Sequence, residues 1–153
     1  MKRYPASHSF ESEFRKYGIT FEAMVDTALD MYIYDPRIGS KSKVRAKVIH
    51  ELKKALGDIN IACLVSAAFY LESSGPAGAI PGISAEKYAS DPVDLLADEI
   101  IGQSIATYLA GTRALFEFER IDKLKPGILK KLPPMLDDMV AGLISGVMVK
   151  VCS

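Results

Sequence analysis

Residues 118–147 read FERIDKLKPGILKKLPPMLDDMVAGLISGV, and this stretch combines a turn, a helix start and several charges. Lysine, proline and glycine at 125–127 predict a stiff turn, and the two prolines at 133–134 predict the start of a helix. Asp137 and Asp138 lie at the head of that helix, which continues with a stripe of small residues where a neighbouring helix can approach closely. The stretch therefore predicts a closely packed helical protein with charged groups at one helix end.

The rest of the chain mostly has the periodicity of helices. We predict helices over 21–32, capped by Thr20, over 42–56 and over 58–72. The helix at 58–72 is apolar on nearly every side, which is typical of a helix in the middle of a bundle. Only residues 114–121 alternate weakly, as an extended segment would. The predicted fold is all-α, a single compact bundle of about six helices around the central apolar helix at 58–72.

The length of 153 residues predicts one domain. Residues 1–18 are polar and are predicted to form an N-terminal tail, so that residues 19–153 make up the single helical domain. The segment 73–90 is rich in glycine, proline and serine and lacks periodicity. Loops of this kind in compact domains are often lids, so we predict a mobile flap beside the functional site.

The charge balance argues against a nucleic-acid partner, because 19 basic residues are matched by 19 acidic ones. Two cysteines, Cys63 and Cys152, form no metal-binding pattern and favour a reduced, cytoplasmic setting. The longest apolar runs are roughly a dozen residues, too short for a membrane span, and the N-terminus lacks the apolar core of a secretion signal. The sequence therefore predicts a cytoplasmic protein.

A second acidic segment, residues 91–102, reads DPVDLLADEIIG. Asp91 before Pro92 is typical of a helix N-cap, and a helix starting there would place Asp98 and Glu99 two turns inside, beyond the reach of the helix dipole. We therefore interpret this pair as functional, and Gly102 as leaving room for an ion, a phosphate or another backbone. The alternative is that these acids pair with lysines on the surface and that the glycine packs against a helix.

The two acidic pairs and Asp122 offer the oxygen ligands that Mg²⁺ prefers, and Lys125 offers a point charge for a phosphate. The chain has no P-loop and no visible base to activate a serine or cysteine nucleophile. These residues therefore indicate a magnesium site that handles phosphate. A non-catalytic helical module that binds a structural cation is the alternative.

Three segments in order, DPVDLLADEIIG, FERIDKLKPGIL and LDDMVAGLISG, resemble the phosphatidylglycerophosphatase A family over about residues 58–147. The resemblance implies an all-helical, magnesium-dependent phosphatase. It implies that the acids bind metal, with Asp98, Glu99, Asp138 and Lys125 as catalytic residues and Asp138 or Glu99 accepting the proton of water. It implies these metal ligands: Glu72, Asp98, Glu99, Asp122, Asp137 and Asp138. Lys123, Lys125 and Gly102 are predicted to contact the substrate.

Residues 112–129 and 136–147 are most similar to a soluble archaeal branch of the family, which acts on α-ribazole 5'-phosphate in cobamide assembly. The membrane-bound bacterial members act on phosphatidylglycerophosphate, the alternative substrate. The predicted partner is in either case a small phosphorylated substrate. The small-residue stripe of the last helix would serve a homo-oligomer as well as a core.

Overall fold

Residues 10–153 are described by a computed structural model, in which they form eight α-helices and one short 3₁₀ helix. Within these residues, extended pairing is confined to one isolated bridge between Asp35 and Gly39. The all-α prediction is confirmed. The α-helices are α1 Glu11–Lys16, α2 Phe21–Asp30, α3 Lys41–Leu56, α4 Ile59–Ser74, α5 Ala85–Ala89, α6 Ala97–Ala110, α7 Arg113–Leu124 and α8 Pro134–Cys152, and the 3₁₀ helix is Gly127–Lys131.

Short polar side chains fix the starts of the early helices. The Thr20 hydroxyl accepts the backbone N–H of Ala23 at 3.0 Å at the start of α2, as predicted. Asp58 caps α4 in the same way by accepting the N–H of Asn60 at 2.8 Å. Gly57 ends α3. The predicted helices at 21–32, 42–56 and 58–72 are therefore confirmed, with ends shifted by one or two residues.

The central helix is α8, and the prediction that the helix at 58–72 is central was wrong. Every residue of α8 from Met135 to Met148 is buried, and α8 contacts α2, α3, α4, α6 and α7. The helix α4 leaves Ile59 and Tyr70 exposed by 65% and 74%. Exposed apolar side chains gave α4 its even hydrophobicity, whereas small residues allow α8 to have neighbours on all sides.

The weak alternation at residues 114–121 was also misleading, because this segment belongs to α7. Its buried residues are Ala114, Phe118 and Ile121, spaced by four and three positions. This spacing places all three on one face of a helix. The pattern that resembled a strand is therefore the apolar face of a helix with charged residues between.

The two helices α6 and α8 touch backbone to backbone at Gly102 and Gly142. A Cβ atom at Gly142 would lie 2.3 Å from the carbonyl oxygen of Gly102, and one at Gly102 would lie 2.4 Å from that of Asp138. The ring of Phe118 would also lie 2.6 Å from a Cβ atom at Gly102. The room at Gly102 is therefore filled by the backbone of a neighbouring helix, one of the alternatives that the sequence left open, and the contact of this residue with substrate stays a prediction. We name the contact between α6 and α8 at these two glycines the glycine seam.

The helix α6 begins at Ala97, five residues later than the sequence predicted. Asp91 does not act as an N-cap, because its backbone has a positive φ of 49°. The following residues form a turn in which the N–H of Leu95 bonds to the carbonyl oxygen of Pro92. The Asp-Pro pair therefore marks a turn before the helix and not the helix start.

Part of the predicted tail is packed against the bundle. Residues 1–9 lie outside the described residues, but α1 buries Phe14 against Phe69 of α4, with ring centroids 5.4 Å apart. The packed body therefore begins before residue 19.

The segment 73–90 contains α5, whose Tyr88 is buried against Gly75. The mobility of this segment stays a prediction.

Among the described residues, no single helix is long and apolar enough to cross a bilayer. The helices α3 and α4 meet the test of length and composition only as a pair, and they bend by 80° at their junction.

Candidate active site

Three aspartates meet where the end of α7 approaches the start of α8. Asp122 lies in the last turn of α7, and Asp137 and Asp138 lie near the start of α8. One carboxylate oxygen from each lies within 4.8 Å of the other two. Asp137 and Asp138 are buried, and Asp122 is half-buried. The structure therefore brings together three of the six predicted metal ligands, which we call the aspartate cluster.

Lys125 is the cationic partner of this cluster. Its ammonium donates to Asp122 Oδ1 and to Asp137 Oδ2, both at 2.6 Å, and lies 4.0 Å from Asp138 Oδ1. Burial is the largest single influence on the pKa of Lys125 and lowers it, but the hydrogen bonds and charges of the two aspartates together raise it above its ordinary value. Lys125 therefore remains charged beside the cluster.

The turn that carries Lys125 has an unusual backbone. Lys125 adopts a left-handed conformation with φ 45°, which is rare for a residue with a side chain, and Gly127 also has a positive φ of 52°. Thr27 of α2 lies directly against this turn, and its hydroxyl accepts the backbone N–H of Ile128 at 3.1 Å. The turn is therefore held in place by a helix that is distant in sequence.

One carboxylate oxygen of Asp138 has no hydrogen-bond partner within residues 10–153. Its Oδ1 is buried and accepts no hydrogen bond from the residues described. Burial raises the pKa of Asp138 to about 9, and the charge of Asp137 adds to this effect. Burial likewise raises the pKa of Asp137 to about 6, against the lowering effect of Lys125. Such a buried acid is costly unless a cation accompanies it.

The two acids of α6 have different environments. Asp98 is buried, and its Oδ1 accepts the backbone N–H of Glu99 at 2.9 Å. Burial is the largest influence on the pKa of Asp98 and raises it, while the hydrogen bond from the Glu99 N–H lowers it. The charge of Asp98 in turn contributes to the raised pKa of Asp138. Glu99 is exposed. Since α6 begins at Ala97, both acids lie in its first turn, where the helix dipole favours them. The dipole argument for their function was therefore wrong, and burial singles out Asp98 instead.

Glu72 is held by a residue that the sequence analysis did not identify. It is buried at the end of α4, where its Oε2 accepts the Tyr88 hydroxyl at 3.1 Å. Burial raises the pKa of Glu72, and the charge of Asp137 contributes to the same rise. Glu72 therefore lies in the electrostatic neighbourhood of the aspartate cluster. Tyr88 lies within the segment 73–90, which lacks periodicity, so no sequence signal pointed to it.

Comparison with known proteins shows the family of the chain. The model of the family described as Phosphatidylglycerophosphatase A matches residues 32–153, which include every acid of the site. The chain belongs to this family. Membership in the Phosphatidylglycerophosphatase A family implies that the protein is a phosphatase. An uncharacterized protein of Methanocaldococcus jannaschii is 37% identical over 131 residues, which cover 83% of this chain and 98% of that protein.

Solved structures share the fold of this family member. The low temperature requirement C protein from Listeria monocytogenes superposes with a TM-score of 0.82 at 21% identity. The superposition covers 98% of this chain and 97% of the Listeria chain. The protein ypjQ from Bacillus subtilis gives a TM-score of 0.78 at 22% identity, covering 93% of this chain and 89% of its own. At these identities the likeness concerns the fold alone.

The donors of the aspartate cluster suit a hard divalent cation. All three side chains offer carboxylate oxygens, the ligands that Mg²⁺ and Ca²⁺ prefer, and the orphaned Oδ1 of Asp138 lacks the partner that a cation would supply. The predicted ligands Glu72, Asp98 and Glu99 lie outside the three-aspartate cluster.

Lys123 is exposed, and its ammonium pairs with Glu119 at 3.3 Å. Its predicted contact with substrate stays a prediction.

Proposed function

We propose that this phosphatase is a metal-dependent phosphomonoester hydrolase and that its metal is Mg²⁺. The aspartate cluster carries the proposal, because it combines three converging carboxylates with one buried oxygen that lacks a partner. Family membership supports the reaction class, since it implies a phosphatase. The geometry supports the cofactor, since oxygen donors of this kind select hard cations.

We assign Asp122, Asp137 and Asp138 as the residues that would hold the ion. Bound Mg²⁺ would polarise the phosphate and lower the pKa of a water molecule. Lys125 would bind a phosphate oxygen as a point charge, because its ammonium already lies among the carboxylates and is held by a stiff turn. The stiff turn limits the conformational freedom lost when the phosphate binds.

Asp98 is the group that we assign to accept the proton from water. It is buried, its charge contributes to the raised pKa of Asp138, and burial raises its own pKa, which is the direction that suits a general base. Glu99 fits this role less well, because its side chain is exposed. Glu72 and Tyr88 form the neighbouring wall of the site.

For the substrate, we propose α-ribazole 5'-phosphate. The support is the sequence similarity of residues 112–129 and 136–147 to the branch of the family that acts on this compound. Phosphatidylglycerophosphate is the second candidate, since the family description names its hydrolysis. Both are phosphomonoesters, so the same metal and lysine would bind the group that is cleaved.

The test measures inorganic phosphate released from each of the two substrates, with Mg²⁺ and with EDTA. We expect release from α-ribazole 5'-phosphate that requires Mg²⁺ and is abolished in Asp138→Asn. Release from phosphatidylglycerophosphate alone would reassign the substrate. If neither compound is hydrolysed in Mg²⁺ by a folded protein, the catalytic proposal fails and a cation-binding module is the better description.

A further inference from the structure

Thr27 lies outside the acidic segments, yet it contacts the turn that carries Lys125. It belongs to α2, is 1% exposed, and is separated by 101 positions in sequence from its partner Ile128. Its hydroxyl accepts the backbone N–H of Ile128 at 3.1 Å and donates to the carbonyl oxygen of Ala23 at 2.6 Å. Both hydrogen-bonding functions of this hydroxyl are therefore used, one within its own helix and one on the turn.

The contact at Gly127 is closer still. A Cβ atom at this glycine would lie 2.3 Å from Thr27 Oγ1 and 3.1 Å from Thr27 Cα. The backbone of the turn therefore rests on Thr27 at a distance that only a glycine permits. Because Gly127 also has a positive φ, both the conformation and the closeness of the contact require this residue.

Lys125 needs external support because its own conformation is unfavourable. A lysine with φ 45° and ψ 57° is strained relative to the ordinary helical conformation, so the surrounding structure must hold it there. Pro126 is itself extended, with φ −68° and ψ 156°, and the two residues after it contact Thr27. The position of the ammonium between Asp122 and Asp137 depends on this sequence of constraints.

We propose that Thr27 is a positioning residue for the phosphate-binding lysine, acting through the backbone of residues 126–128. The inference rests on the proposed function for the role of Lys125, but the structural coupling does not. Loss of the hydroxyl leaves the N–H of Ile128 without its partner and frees the turn to move, so that Lys125 binds the substrate phosphate less well. The acids of the site keep their places, since Thr27 makes no hydrogen bond to any of them.

The experiment compares Thr27→Val, which keeps the side-chain shape but lacks the hydroxyl, with Thr27→Ser, which keeps the hydroxyl. The matched control is Thr20→Val, because it removes a hydrogen bond at the start of the same helix and has no hydrogen bond to the turn. For Thr27→Val we expect KM for the phosphomonoester to rise about tenfold, with kcat changed much less. This is the result expected when the phosphate is bound less well in the ground state and in the transition state alike. Thr27→Ser restores KM, and Thr20→Val leaves it unchanged.

A second measurement does not depend on catalysis. Hydrogen exchange of the backbone amides of Lys125 and of residues 127–129 is expected to be faster in Thr27→Val than in either Thr20→Val or Thr27→Ser. The inference is overturned if exchange in this segment is the same in the two valine variants, or if KM rises equally in both. If the wild-type protein releases no phosphate, the proposed function fails, and hydrogen exchange still decides whether Thr27 holds the turn.

Discussion

At the scale of single residues, Asp138 carries its carboxyl group in the surroundings least suited to a charge. Its ordinary pKa of 3.8 is raised to about 9 by burial and by neighbouring acids. The folded protein therefore keeps this proton over a pH range in which the unfolded chain has lost it. The neutral Asp138 carboxyl contributes to stability in full at a pH below 3.8, the pKa in the unfolded chain. This contribution is lost as the pH rises through about 9, the pKa in the folded protein.

We therefore predict that Asp138→Asn stabilises the protein at alkaline pH while it abolishes phosphate release. In EDTA, its melting temperature should exceed that of the wild type by about 3 °C or more near pH 8, and the two should converge near pH 4. Thermal unfolding followed by circular dichroism provides the measurement. Equal melting temperatures across this range would show that the Asp138 charge is better accommodated than its burial indicates.

Lys125 and Lys123 provide a second comparison between neighbouring residues. Lys125→Gln removes the positive charge that we assign to the substrate phosphate, together with the charge-assisted hydrogen bonds to Asp122 and Asp137. We therefore predict that kcat/KM falls by about tenfold to a hundredfold. Lys123→Gln should change kcat/KM by less than about twofold, because its ammonium is exposed and pairs with Glu119. A comparable loss in both variants would restore Lys123 to the substrate site. Steady-state kinetics with the same phosphomonoester test both variants.

The acids of the site could be predicted from the sequence, but the residues that hold them could not. Asp122, Asp137, Asp138 and Lys125 lie within one short stretch, so local spacing was enough to group them. Thr27 and Tyr88 reach the site through tertiary contacts, from α2 and from the segment after α4. A threonine inside a helix or a tyrosine after a loop has no local pattern that distinguishes it from others.

At the scale of helices, the glycine seam determines how closely α6 approaches α8. We predict that Gly142→Ala lowers stability by about 2 kcal/mol and the melting temperature by about 5 °C, because its methyl group would meet backbone that has no rotamer to change. Gly57→Ala is the control, since a Cβ there would lie 3.5 Å from its nearest neighbours, an ordinary contact. Similar melting temperatures for the two variants, measured by thermal unfolding, would contradict the close backbone contact at Gly142.

The starts of helices show where local rules succeed and where they fail. Thr20 caps a helix as the sequence predicts, because the cap depends only on the next two or three residues, and Asp58 caps α4 in the same way. Asp91 before Pro92 has the same pattern, but the turn formed by residues 92–95 delays α6 until Ala97. Leu95 at the end of that turn packs against the core, and this tertiary contact is not contained in the local pattern.

At the scale of the whole molecule, the bundle extends to residues that the sequence assigned to a tail. Phe14 is buried beside Phe69, so we predict that Phe14→Ala destabilises the protein by about 3 kcal/mol and lowers its melting temperature by about 8 °C. Phe116→Ala is the matched control, because its ring is 80% exposed and its loss should change stability by less than about 0.5 kcal/mol. Denaturant unfolding distinguishes the two. An equally small loss of unfolding free energy for Phe14→Ala would show that α1 contributes little to the stability of the bundle.

The all-α class followed from periodicity, whereas the choice of the central helix did not. Hydrophobicity alone favoured α4, but burial in a bundle also depends on how closely neighbours can approach. The glycines and small residues of α8 allow that approach on several sides. Size, and not only polarity, therefore decides which helix of this protein is innermost.

The glycine seam also bears on the distance between the proposed general base and the proposed ion site. Asp98 and Asp138 each precede a seam glycine by one helical turn, so each acid projects from the face of its helix that meets the other. The distance between the two helix axes thus sets the span between these carboxyl groups. A general base must lie within reach of the proton that it accepts, and a methyl group added at either glycine would push the two helices apart. Gly102 and Gly142 therefore affect the proposed catalysis although neither contributes a side chain to it.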